Sequence, residues 1–141
     1  MPVPSSFDYA VVRVVPRVER GEFINAGVIV FCLERRFLAA RVVIDETRLK
    51  ALWPGLDVEL VRRHLEVIPK IAAGEAEAGP IARLSLRERF HWLVSPRSTM
   101  IQVSPVHTGL CEEGPEEALE ALLRAQGLAA SSRRGLDGAR I

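Results

Sequence analysis

The fold is decided by residues 7–31, which read FDYAVVRVVPRVERGEFINAGVIVF. From Phe7 to Val15, apolar side chains occupy both of the faces that alternate along an extended strand. Two apolar faces are typical of a central strand in a sheet that is covered on both sides. Pro16 ends this strand, since proline has no N–H to donate to a neighbouring strand. Gly21 then suits a turn, so we expect a second strand soon after it.

The second strand is predicted from Phe23 to Leu33 and is again apolar on both faces. Gly27 within it indicates a β-bulge or the close approach of another group. Asn25 is polar in apolar surroundings and needs a hydrogen-bonding partner if it is buried. A short charged turn leads to a third strand at Phe37–Ile44. The short connections predict that the three strands form an antiparallel meander.

Helical signals predominate after the third strand. Ser85 and Glu88 match a capping box, which is a marker of a helix start. Pro115 and Gly127 stand where proline begins and glycine ends a helix. Pro69 is expected to kink or end the helix that contains it. The predicted helices cover residues 46–53, 58–72, 86–94 and 115–126.

The remaining segments complete the predicted fold class. Thr99–Val103 is predicted to be a fourth strand and Ser104–Gly114 a loop. The sum is α+β, with an antiparallel sheet of about four strands and helices packed against it. At 141 residues we expect a single domain, which covers residues 1–128. Residues 129–141 offer few side chains to bury and are predicted to form a flexible C-terminal tail.

Composition and charge disfavour several functional classes. A net charge of +1 removes the usual electrostatic basis for binding nucleic acid or an anionic membrane. No apolar run approaches the roughly 20 residues of a membrane helix, and no signal peptide is evident. Two Cys and three His without metal-ligand spacing predict neither a disulfide framework nor a metal site. We therefore expect a cytoplasmic protein with no metal and no cofactor, and the sequence leaves homo-oligomer formation open.

The densest polar cluster brackets the predicted fourth strand. In a functional interpretation, Arg97 binds an anion and His107 transfers a proton, while hydroxyl groups donate hydrogen bonds. In the alternative interpretation, these residue types only build turns and satisfy backbone groups. Cys111 is expected to be a free, partly buried thiol, because no third group orients His107 toward it. The cluster consists of Arg97, Ser98, Thr99, Gln102, Ser104, His107, Thr108 and Cys111.

A second polar group surrounds the connection between the first two strands. In a functional interpretation, Glu22 and Asn25 begin a strand in which Gly27 lets a ligand or a partner backbone come close. In the alternative, this is a solvated turn in which Asn25 binds a neighbouring backbone group. Both interpretations require Asn25 to find a hydrogen-bonding partner if it is buried.

Three sequence blocks carry a resemblance to a known family. They are YAVVRVVP at residues 9–16, EFINAGVIVF at 22–31 and RSTMIQVSPVHTG at 97–109. Together they resemble an uncharacterised bacterial family, the domain of unknown function three-zero-three-seven. Its members are commonly encoded beside a HipA-like kinase-fold protein, so the resemblance implies such a partner but no activity. The candidate residues within the blocks are Glu22, Asn25, Gly27, Arg97, Ser98, Thr99, Ser104 and His107.

Two functions from different classes remain open. The favoured one is a non-catalytic binding or accessory domain with a HipA-like kinase-fold protein as partner, because no catalytic constellation is evident. The alternative is a small enzyme that acts on a phosphate- or carboxylate-bearing substrate. In that enzyme Arg97 would hold the anion and His107 would act as acid or base. The alternative requires both side chains to converge in one pocket with Glu22 or Asn25.

Overall fold

Strand β1 (Ser5–Val14) is central in a five-stranded antiparallel sheet of the computed structural model, which describes residues 3–97 and 99–128. The other strands are β2 (Ile24–Cys32), β3 (Phe37–Val42), β4 (Ile101–Val103) and β5 (His107–Cys111). One edge of β1 pairs with β2, and β3 extends the sheet beyond β2. The other edge of β1 pairs with β4 toward its end and with β5 toward its beginning.

Helices cover both faces of this sheet. The α-helices of the described residues are α1 (Glu46–Leu52), α2 (Val58–Ala73), α3 (Leu86–Val94) and α4 (Pro115–Ala125). Helices α1, α2 and α3 share an apolar core with one face, and α4 shares a smaller core with the other. The predicted α+β class, an antiparallel sheet with helices packed against it, is therefore confirmed. None of these helices combines the length and apolar character that crossing a membrane requires.

The apolar side chains of β1 divide between the two cores as the alternation predicts. Val12 and Val14 contact the core beneath α2 and α3, whereas Phe7 contacts the core beneath α4. Val12 and Val14 are fully buried. Burial on both faces explains why the strand carries apolar residues at consecutive positions.

The helix ends follow the signals in the sequence. The backbone N–H of Glu88 donates to the Ser85 hydroxyl at 3.2 Å, and the Ser85 N–H donates to the Glu88 carboxylate at 3.2 Å. These two bonds are the predicted capping box at the start of α3. Helix α4 begins at Pro115, and beyond its end Gly127 has a φ of +71°. Such positive φ angles favour glycine, because it has no Cβ.

One local prediction was wrong, and one of the two alternatives predicted for Pro69 is excluded. The segment Ser104–Gly114 is not a continuous loop, because it contains β5, which pairs with the first half of β1. Gly109 suggested a turn, but here the Phe7 ring packs over the bare Cα of the glycine. Helix α2 does not end at Pro69 but continues to Ala73, because burial of Ile71 and its apolar neighbours offsets the hydrogen bond that proline cannot make.

Gly27 occupies both a bulge and a close approach. Val12 of β1 lies opposite Gly27, but Arg13 lies opposite Asn25, so Ala26 is an extra residue in β2. A Cβ on Gly27 would lie 2.5 Å from the carbonyl oxygen of Arg41 in β3. The sequence predicted a β-bulge or the close approach of another group at Gly27, and the structure has both. The approaching group is the backbone of β3.

We predict that Gly27→Ala destabilises the protein by about 1–3 kcal/mol, because the added methyl collides with backbone that cannot move freely. Urea unfolding followed by circular dichroism measures this loss. Gly55→Ala is the matched control, since its Cβ would meet no atom closer than 3.6 Å. The control should change stability by less than about 0.5 kcal/mol. Equal unfolding midpoints for the two variants would contradict the steric argument.

Candidate functional site

A pocket of about 270 Å³ opens on the α4 side of the sheet, beside the C-terminal end of that helix. It lies where β1 is flanked by β2 on one side and by β5 on the other. The residue that follows the last turn of α4 closes one wall. The lining residues are Tyr9, Val11, Arg13, Phe23, Asn25, Ser104, His107 and Gln126.

Strand register brings these side chains together. Tyr9, Val11 and Arg13 alternate onto one face of β1. Asn25 lies directly opposite Arg13 on β2, and His107 lies directly opposite Tyr9 on β5. Residues paired in this way have Cβ atoms about 4.5–5.5 Å apart, so the polar groups converge across three strands.

The bulge at Gly27 decides which face carries Asn25. Beyond the bulge, Val28 lies opposite Val11, and both share the α4 face. Period-two alternation without the extra residue would turn Asn25 toward α2, because it would then share a face with Ile29. The bulge therefore places the Asn25 amide in the pocket.

Arg13 supplies the positive charge of the pocket. Its guanidinium carbon lies 4.2 Å from the centre of the Phe23 ring, a stacked geometry that holds the group in place. The Nε atom is buried and has no hydrogen-bond acceptor. Of the described residues that line the pocket, Arg13 alone carries a permanent charge. The pocket therefore offers an uncompensated cationic donor.

Asn25 offers a second unsatisfied group. Its Nδ2 donates to the Oε1 of Gln126 at 2.9 Å, which is the partner that the sequence required. Its Oδ1 is buried and has no donor. Arg13 and Asn25, two residues that line one cavity, thus each carry a buried unpaired polar atom, although buried polar groups in proteins are normally paired.

His107 stands at the rim of the pocket, exposed to solvent. Its ring centroid lies 5.3 Å from that of Tyr9. Cys111 is buried four residues farther along β5, about 13 Å away at the usual rise of a strand. The two side chains are therefore too far apart to form a nucleophile–base pair. The described residues contain no group of three or more His, Cys, Asp or Glu placed to hold a metal ion.

Ser104 is bound into the backbone at the break between β4 and β5. The Val11 N–H donates to the Ser104 hydroxyl oxygen at 2.9 Å, and the Ser104 N–H donates to the Val11 carbonyl at 2.9 Å. The hydroxyl in turn donates to the Pro105 carbonyl at 2.9 Å. Ser104 lines the pocket, but these bonds already occupy its side chain, which joins the two short strands to β1.

Arg97 and Thr99 do not line the pocket. The Arg97 Nη2 donates to the Trp92 carbonyl at 2.7 Å, and its guanidinium stacks 4.2 Å from the Trp92 ring centre. The Thr99 hydroxyl donates to the Ile101 carbonyl at 2.8 Å. Ser98 lies outside the described residues, as does the predicted tail at 129–141.

Glu22 and Gly27 have other surroundings. Glu22 is exposed, and Arg20 donates to its carboxylate at 2.6 Å. This hydrogen bond holds the pKa of Glu22 below its usual value, so the carboxylate stays ionised. Gly27 lies against β3 and exposes no surface to the pocket. Of the eight candidates, the pocket therefore contains Asn25, Ser104 and His107.

Sequence reasoning did not assign five of the lining side chains: Tyr9, Val11, Arg13, Phe23 and Gln126. Arg13 carried a usable signal, since an arginine within an apolar strand needs a partner. Gln126 carried none, because it contacts Asn25 across 101 positions of the chain. Such a contact follows only from the folded arrangement.

Comparison with known proteins identifies a family but no activity. A family model described as "Protein of unknown function (DUF3037)" matches residues 9–126. The match begins within β1, extends through α4 and includes every residue that lines the pocket. Searches of curated proteins and of solved structures found no match.

We predict that Ser104→Ala destabilises the protein by about 1–3 kcal/mol, because it leaves the buried Val11 N–H without an acceptor. Thermal and urea unfolding measure the loss. Thr99→Val is the matched control, since it removes an exposed hydroxyl of the neighbouring segment and should change stability by less than about 0.5 kcal/mol. Unchanged stability of the Ser104 variant would show that its hydroxyl is not needed to join the strands.

Proposed function

Since this chain belongs to a family of proteins of unknown function (DUF3037), its role must come from the site, and we propose a non-catalytic binding domain. Its pocket takes the carboxylate or phosphate group of a ligand, with Arg13 as the principal contact. The observation that carries this proposal is that two residues lining one cavity, Arg13 and Asn25, each carry a buried unpaired polar atom, and that Arg13 is also the cation of that cavity.

An anion satisfies the Arg13 guanidinium in both charge and hydrogen bonding. A buried donor without an acceptor destabilises a protein by about 1–3 kcal/mol, and more when it is charged. Carboxylate and phosphate oxygens match the planar fork of guanidinium donors, and such bonds are stronger than neutral ones. The Phe23 ring on which the group stacks leaves its in-plane donors available.

The amides of Asn25 and Gln126 add adaptability. When both amides turn over together, their mutual hydrogen bond survives with donor and acceptor exchanged. The unpaired atom of Asn25 then becomes an N–H donor instead of a carbonyl oxygen. The pair can therefore donate to an anion beside Arg13 or accept from an N–H or O–H group of the ligand.

Binding is better supported than catalysis by the chemistry of the lining groups. Arginine stays protonated at all ordinary pH values, and amides do not exchange protons near neutrality. His107, the group suited to proton transfer, stands at the exposed rim. The alternative enzyme would pair His107 with Arg97, but Arg97 already binds the carbonyl and ring of Trp92 and does not line the pocket.

We retain a HipA-like kinase-fold protein as the proposed partner of this binding domain. The support is that members of the resembled family are commonly encoded beside such a kinase-fold protein. Complex formation between the two proteins tests this proposal directly. Size-exclusion chromatography of this chain mixed at micromolar concentration with a HipA-like kinase-fold protein from the same genome should give one earlier-eluting peak. Separate peaks would remove the partner from the proposal and leave the anion pocket to stand on its own test.

We predict that millimolar acetate or inorganic phosphate shifts the side-chain Nε–H resonance of Arg13 in ¹H–¹⁵N spectra. The shift is expected because the anion becomes the acceptor that this N–H lacks. Arg13→Met should weaken anion binding at least tenfold. It should not lower the free energy of unfolding, because it removes a buried unpaired donor and keeps an apolar stem.

Arg97→Met is the matched control, since it removes the same charge outside the pocket. It should leave the acetate and phosphate affinities unchanged. If neither anion shifts the Arg13 resonance, or if Arg97→Met abolishes binding while Arg13→Met does not, the proposed pocket is wrong. The second result would favour the alternative site around Arg97.

A further inference from the structure

A second concavity continues the pocket along the α4 side of the sheet. It has a volume of about 660 Å³ and lies between β5 and α4. Phe7 of β1 and Leu122 of α4 contribute apolar side chains to the lining. Ala118 and Ala121 of α4 also line the concavity, and their small side chains leave it room. We call this concavity the α4 groove. None of its lining residues belongs to the proposed anion pocket.

The α4 groove and the pocket lie end to end. Phe7 lines the groove and Tyr9 lines the pocket, and their rings are 5.9 Å apart on the same face of β1. On the opposite wall, Leu122 lines the groove and Gln126 lines the pocket, one helical turn farther along. One extended ligand can therefore occupy both concavities.

The two ends of this combined surface carry opposite charges. The pocket end has Arg13, whose Nε has no acceptor. The groove lining contains three carboxylates, Glu112, Glu113 and Glu117, and one cation, Arg124. Within the described part of the chain, none of the three carboxylates forms an ion pair. The surface therefore suits a ligand that is anionic at one end and cationic at the other.

The spacing sets the size of that ligand. Arg13 and Phe7 are six residues apart on β1, which corresponds to about 20 Å. An extended peptide of about six residues spans the same distance. Its middle side chains would lie along the apolar part of the groove lining, to which the half-buried Leu122 and the alanines of α4 contribute.

We propose, on the basis of the proposed function, that the pocket's anion is the C-terminal carboxylate of an extended polypeptide with basic residues six to eight positions before its end. The carboxylate binds Arg13, and the basic side chains lie against Glu113 and Glu117. A fatty acid would supply the carboxylate and an apolar chain. It would leave the acidic end of the α4 groove without a countercharge.

Fluorescence anisotropy with the full chain tests this proposal. The probe is the peptide KKAVAVAL with an uncharged fluorophore on its N-terminus and a free C-terminal carboxylate. Two comparison peptides are its C-terminal amide and EEAVAVAL with a free carboxylate. The probe should bind at least tenfold more tightly than either, and Arg13→Met should abolish the preference for the carboxylate over the amide.

A charge reversal tests the groove end. Glu117→Lys should weaken binding of KKAVAVAL and strengthen binding of EEAVAVAL. Glu66→Lys is the matched control, because this exposed residue lies on α2, across the sheet from the α4 groove. The control should leave both affinities unchanged.

The inference is overturned if the amide binds as tightly as the acid, if the two free-acid peptides bind equally, or if decanoate binds more tightly than KKAVAVAL. The proposed anion pocket survives these outcomes as long as acetate or phosphate still shifts the Arg13 Nε–H resonance. If no anion shifts that resonance, both the anion pocket and the peptide site are wrong.

Discussion

The arrangement of the site depends on the register shift between β1 and β2 beside Gly27. The bulge lets Asn25 and Val28 share the face beneath α4. Regular alternation would instead place the Asn25 amide among the apolar side chains beneath α2. Gly27 itself lies in close contact with β3, since a methyl group there would lie 2.5 Å from the Arg41 carbonyl oxygen. The register shift therefore places a polar side chain on the face where the pocket forms.

The local parts of the fold were predictable because their causes lie within a few residues. The capping box joins Ser85 to Glu88, three positions away, and Gly127 ends α4 through its own backbone conformation. The central position of β1 was also predictable from local sequence, because apolar residues stand at consecutive positions of the strand. The need of Asn25 for a partner was also evident from its surroundings. The identity of that partner, Gln126, was not, because it depends on where α4 packs.

Strand β5 and the surroundings of the two arginines could not be predicted, because they depend on contacts between residues that are far apart in the sequence. Strand β5 contains Gly109, which indicates a turn until the fold places the Phe7 ring against it. The sequence signals of Arg13 and Arg97 differ, since Arg13 lies within an apolar strand and Arg97 in a polar cluster. In the fold, Trp92 provides Arg97 with both a carbonyl acceptor and a ring, whereas Phe23 provides Arg13 with a ring alone. Under the proposed function, a ligand supplies the acceptor that Arg13 lacks.

Under the proposed function, the same difference favours Arg13 over Arg97 for anion binding. One of the five guanidinium N–H donors of Arg97 is already occupied by the Trp92 carbonyl. The Arg13 Nε breaks no protein hydrogen bond, and stacking on Phe23 already restricts the side chain. Under the proposed function, a bound anion removes the destabilisation that the unpaired Arg13 Nε imposes on the unliganded protein. The Arg89 Nε is also buried and unpaired, but the Nη atoms of Arg89 donate to the Leu84 and Ala72 carbonyls. Arg13 differs in lining a pocket together with a second residue that carries an unpaired atom, Asn25.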